Sequence, residues 1–131
     1  MNTTTTIIDV VSLQIFVVLS SVVTADSSRT HIVGETASIS CSVAKEHDTV
    51  LWTHQTTDEA APVIVYAGGS VRNGYRQRFS VDTSTGQRYD LIIKDIQPSD
   101  AGVYRCIDDG GLGEEMSRVS VILQLPQGMI A

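Results

Sequence analysis

The two cysteines of this chain, Cys41 and Cys106, each end a run in which residue character changes at every step. Before the first, Ala37, Ile39 and Cys41 fall on one side and Thr36, Ser38 and Ser40 on the other. Before the second, in DAGVYRC, Gly102, Tyr104 and Cys106 share a side opposite Val103 and Arg105. A period of two marks a half-buried strand, because successive side chains of an extended chain point to opposite faces. Leu91 and Ile93, continued by Ile96, form a further inward set, and Val119, Val121 and Leu123 alternate with Ser120, Ile122 and Gln124. Turn-forming residues separate the runs at Gly34-Glu35, Ala67-Gly68-Gly69, Asn73-Gly74, Thr85-Gly86 and Gln97-Pro98-Ser99-Asp100. Many short strands with this punctuation, and no helical periodicity, predict an antiparallel sandwich or barrel.

At 131 residues the chain has the length of one domain. Apolar residues make up 42% but aromatics only 5%, so the core must rest on Val, Ile and Leu, which suit strands. Residues 1–25 read as a secretory signal peptide, leaving a single domain over residues 26–131. Val10 to Val23 is apolar and uncharged, and Val23-Thr24-Ala25 offers small residues for cleavage before Asp26. The alternative is an uncleaved membrane anchor, which needs about 20 predominantly apolar residues. Ser12, Gln14, Ser20 and Ser21 leave this run shorter and more polar than that.

The secretory route is oxidising, so Cys41 and Cys106 are expected to pair in one disulfide rather than persist as two buried thiols. Loss of residues 1–25 removes Asp9 and no base, taking the formal charge from −6 to −5. That acidic balance argues against nucleic acid and against an anionic membrane as main partner, since both reward clusters of Lys and Arg. No second hydrophobic segment follows, and Pro126 to Ala131 is too short for a lipid-anchor signal. The mature chain is expected to be secreted, without membrane insertion. A cell-surface receptor cut short of its membrane segment would read the same way.

Trp52, the only tryptophan, follows Cys41 by eleven positions within TVLWTHQ. Cys41, Trp52, Leu91-x-Ile93-x-x-Ile96 and Asp100-x-Gly102-x-Tyr104-x-Cys106 together resemble an immunoglobulin domain, over about residues 30 to 125. The cysteine separation and Arg78-Phe79-Ser80 resemble the variable type, with its extra C′ and C″ strands. The resemblance implies an all-β Greek-key sandwich of about nine strands, with Cys41–Cys106 joining two antiparallel sheets and Trp52 packed on the sulfurs. It implies a tyrosine corner at Tyr104, an ion pair between Arg78 and Asp100 with Gly102 leaving room beneath it, and core positions at Leu91 and Ile93.

Catalysis finds no support. No Gly-x-Ser-x-Gly elbow occurs, and His31, His47 and His54 stand in unrelated contexts, so neither an enzyme nor a cofactor is expected. His47-Asp48 reads as a solvated loop pair. His54, on the Trp52 side of its strand, reads as a packed or locally bonded group. No metal-ligand spacing appears. Between Asp108 and Glu115, four carboxylates (Asp108, Asp109, Glu114, Glu115) surround three glycines. The segment admits a soluble flexible loop, a calcium chelator, or contact with a partner. Its match to the third hypervariable loop of antibody domains favours the last.

The resemblance also implies a binding face on strands G, F, C and C′. Candidates there are Gln55, Arg105, Ile107, Ile122 and, at the end of Pro62 to Tyr66, the ring of Tyr66. Arg105 stands where paired antibody-type chains carry an outward aromatic, and the Phe-Gly-x-Gly of a joining segment is absent. A protein ligand of an immune-type or cell-recognition module is therefore expected rather than an antibody-like mate. The alternative is a homodimer or homophilic adhesion module, in which the acidic loop meets Arg72 and Arg76 of a second copy.

Overall fold

The computed structural model describes residues 27–43, 49–109, 113 and 115–127. The expected leader, His47-Asp48 and Glu114 lie outside the described residues. Among the described residues nine strands follow in order: β1 (Ser27–Ile32), β2 (Ala37–Ile39), β3 (Val50–Gln55), β4 (Val63–Ala67), β5 (Ser70–Val71), β6 (Phe79–Asp82), β7 (Asp90–Ile93), β8 (Gly102–Asp108) and β9 (Glu115–Gln124). They form a six-stranded sheet, β1-β9-β8-β3-β4-β5, and a three-stranded sheet, β2-β7-β6. β1 runs parallel to β9, and every other pair is antiparallel. Single 3₁₀ turns at Asn73–Tyr75 and Pro98–Asp100 fall where Asn-Gly and Pro-Ser-Asp signalled chain reversal.

The alternation seen in sequence becomes the wall of the core. Register pairs Ala37 with Ile93 and Ile39 with Leu91, so the inward positions of β2 and β7 coincide and are almost wholly buried. From the other sheet come Val50, Trp52, Tyr104, Cys106, Val119 and Val121. The Cys41–Cys106 disulfide spans a Cα separation of 6.4 Å. Trp52 lies in register with Cys106, and its buried indole Nε1 donates to the Tyr89 carbonyl at 2.8 Å. Such a partner lets the core accept the ring, since a buried N–H without an acceptor is destabilising.

The turn before β8 is fastened three ways. Tyr104 Oη donates to the Asp100 carbonyl at 2.6 Å. The Asp100 carboxylate accepts from the Gln97 amide at 2.8 Å and from Arg78 Nη1 and Nη2 at 2.6 and 3.0 Å. The bond to Asp100 holds the Arg78 guanidinium above its ordinary pKa. Burial pushes the Tyr104 phenol far above its own.

Gly102 does a different task from the one expected. Its φ is +129°, and a Cβ there would overlap the Gln55 carbonyl oxygen and approach His54 Nε2 and Thr56 Cα to 3.0 Å. The small residue admits the end of β3, not the Arg78–Asp100 pair. His54 fits beside it, stacked on Tyr104 with centroids 4.3 Å apart and planes at 4°. Its Nε2 lies 2.8 Å from the Ala101 carbonyl. A carbonyl can only accept, so Nε2 carries the proton.

Candidate functional site

The outward face of the six-stranded sheet is laid out by register. One row runs across four strands through Ile64, Thr53, Arg105 and Arg118. The rows beside it hold Leu51 and Ile107 on one side, and Gln55, Val103 and Ser120 on the other. On β8 the inward Tyr104 and Cys106 are fully buried while Val103, Arg105 and Ile107 are half-buried, as period-two geometry requires. Ile122, farther along β9, is 49% exposed.

Tyr66 leaves this face. It was expected to offer its ring to a partner, yet it is only 6% exposed and belongs to the core. The cause is a register shift between Trp52 and Thr53. Tyr66 pairs with Trp52 and Ile64 with Thr53, which makes Val65 an extra residue and turns Tyr66 inward. Burial raises the pKa of its hydroxyl, and Tyr89 adds to the effect.

A second bulge brings a residue in. Strict alternation along β9 puts Glu115 on the same side as Val119 and Val121. The β8–β9 register shifts between Cys106 and Ile107, so Glu115 pairs with Ile107 and Met116 packs against the core. The Glu115 carboxylate thereby reaches two guanidiniums. Arg118 Nε and Nη2 lie 3.0 and 3.1 Å from its oxygens, and Arg105 Nε lies 3.4 Å away. Arg105 Nη1 also donates to Gln55 Oε1 at 2.8 Å, while Gln55 Nε2 donates to the Ala60 carbonyl at 2.9 Å. Gln55 is thus held by contacts within its own chain. Beneath this network Thr53, only 7% exposed, keeps its Oγ1 buried with no hydrogen-bond partner among the described residues.

Arg118 was absent from the sequence-derived candidates. Its signal was present, because it shares outward parity with Ser120 and Ile122 and so faces Arg105 across the sheet. The acidic loop is only partly described. Asp108 closes β8, and the Asp109 amide donates to the Thr49 carbonyl at 2.9 Å.

At the far end of the sandwich, a cavity of about 420 Å³ is lined by residues that include His54, Tyr75, Arg78 and Asp100. Arg78 and Asp100 already satisfy one another there, so the cavity offers no unpaired charge from that pair. Among the described residues, no group of three or more His, Cys, Asp or Glu could hold a metal ion. No helix among them is long and apolar enough to cross a membrane.

Two sheets, an inter-sheet disulfide, a buried tryptophan and a tyrosine corner define a variable-type immunoglobulin sandwich. The immunoglobulin V-set domain family matches residues 24–122, and the chain belongs to that family. It is similar to "Ig kappa chain V region 3368" from Oryctolagus cuniculus, with 29% identity over 84 residues, covering 63% of this chain and 75% of that one. V-set domains are a non-enzymatic recognition fold, typically extracellular, that generally binds protein partners.

Proposed function

We propose that this chain is an extracellular recognition module that binds a protein ligand through the outward face of its six-stranded sheet. In this reading residues 1–25 are a leader removed during secretion, and the domain acts outside the cell.

The observation that carries the reading is the contrast between the two outward faces. On the three-stranded sheet the central row is Ser38, Ile92 and Ser80, one apolar residue between two serines. On the six-stranded sheet Ile64 and Ile122 are exposed, Leu51 and Ile107 are half-buried, and a fixed polar group of Gln55, Arg105 and Glu115 stands among them. Apolar side chains around ordered polar ones suit a surface that a partner covers. Exposed Asp109 extends the surface at one end.

The test is a tetramerised, oxidised chain probed against an array of extracellular proteins, beside Arg105→Glu as a matched tetramer. Substitution of Arg105 reverses one charge at the centre of the face and is expected to weaken capture about tenfold or more. A ligand that binds the folded Arg105→Glu protein with unchanged affinity removes this face from the function.

A further inference from the structure

The charge at the centre of the recognition face differs in sign from that of the chain as a whole. The protein is acidic, with a formal charge of −6. Yet Arg105 and Arg118 stand directly opposite one another on β8 and β9, at the centre of the face. Like charges in that arrangement repel. Among the described residues only Glu115 is paired with both, and both of its oxygens are already in use. Two guanidiniums share one carboxylate, which leaves this cluster with one net positive charge. Arg105 and Arg118 retain side-chain exposures of 22% and 32%, so both remain accessible from the face.

Two further observations define what would fit. The buried Thr53 Oγ1, opposite Arg105 in register, has no hydrogen-bond partner among the described residues. Exposed Ile64 ends the same row, and Ile122 lies beyond Arg118 on β9. The face therefore presents cations at its centre with apolar side chains toward its margins. We infer that the partner is a protein surface that places an acidic side chain against Arg105 and Arg118, with apolar residues on either side of it. This inference rests on the recognition reading above and specifies the chemistry of the partner.

In the bound state the incoming carboxylate competes with Glu115 for the same donors. Planar guanidiniums suit that exchange, because each presents several N–H groups in a fixed fork. Glu115 acts as a built-in stand-in for the ligand. Its removal then has an effect opposite in sign to removal of either arginine. Glu115→Gln should bind an acidic probe more tightly, although the isolated domain loses a little stability from the unrelieved Arg105–Arg118 repulsion.

The test uses the isotopically labelled, oxidised chain and a synthetic peptide in which Glu alternates with Leu. A Gln-for-Glu version and a heparin fragment serve as comparison probes. Amide spectra should show salt-sensitive shifts on β8 and β9 around Arg105 and Arg118 with the Glu peptide. Arg118→Gln should weaken that binding about tenfold, and Glu115→Gln should strengthen it several-fold. Lys94→Gln, an exposed change just after β7 of the three-stranded sheet, should leave it unaltered.

Equal binding of the Gln peptide at the same residues overturns the acidic-partner inference while leaving the face in use. Preferential binding of heparin there overturns it in favour of a sulfated polysaccharide. Shifts confined to the three-stranded sheet overturn both the inference and the recognition reading. No salt-sensitive shift at Arg105 and Arg118 with the Glu peptide also overturns the inference.

Discussion

Replacing Gly102 with alanine tests whether β8 really leaves its turn pressed against the end of β3. Two penalties add at that position. An L-residue at φ +129° occupies backbone space that only glycine enters easily, at a cost of about 1–3 kcal/mol. The new methyl would overlap the Gln55 carbonyl and crowd His54 Nε2 and Thr56 Cα. Backbone and a stacked ring cannot move aside as a flexible chain end could, and such overpacking adds about 1–3 kcal/mol. The sum of about 2–6 kcal/mol is a large share of the roughly 5–15 kcal/mol that holds a typical domain.

At about 4–8 °C per kcal/mol for a domain of around 100 residues, the melting point should fall by about 8 °C or more. Urea unfolding followed through Trp52 fluorescence measures the loss, since that indole is fully buried. Gly74→Ala is the control. A Cβ there meets nothing within 4 Å, and its effect should stay within about 0.5 kcal/mol. A Gly102→Ala loss below about 1 kcal/mol would refute the close approach.

Stability should hold to about pH 9 and decline above about pH 10. The folded state raises the pKa of Tyr104 and Tyr66, chiefly by burial. Above the unfolded pKa near 10, the unfolded chain loses protons that the folded chain keeps. Stability then falls by up to about 1.4 kcal/mol per pH unit for each such tyrosine until its folded pKa is reached. Denaturant midpoints across alkaline pH check this, and Tyr104→Phe should flatten the decline; an identical slope in that variant would contradict the assignment. Replacing both Cys41 and Cys106 by alanine should destabilise the domain by roughly 4 kcal/mol, given the 65-residue separation. A loss under about 1 kcal/mol in urea would show that the crosslink contributes little.

The frame was legible in sequence because each of its parts is a local rule. Alternation placed Ala37, Ile39, Leu91, Ile93, Tyr104 and Cys106 inward, and no contact between distant segments was needed to see it. The face was only partly legible. Arg105, Ile107 and Ile122 follow the same alternation and point outward. Tyr66 and Glu115 do not, because each lies beside a bulge, and an inserted residue reverses the sides of those that follow. Bulges depend on how two strands meet, so neither strand's own pattern reveals them. Gly102 shows the same limit. Its sequence signal was smallness, but only the fold shows that the end of β3 is what needs the space.

The most direct test of the account is amide hydrogen exchange on the oxidised domain, free and bound to the ligand captured by the array. Recognition through the six-stranded sheet predicts slowed exchange in β8 and β9, around Arg105 and Arg118, and in β3 at Thr53 to Gln55. Exchange in β2, β6 and β7 should stay as in the free chain. Protection confined to those three strands, with β8 and β9 unchanged, would contradict it.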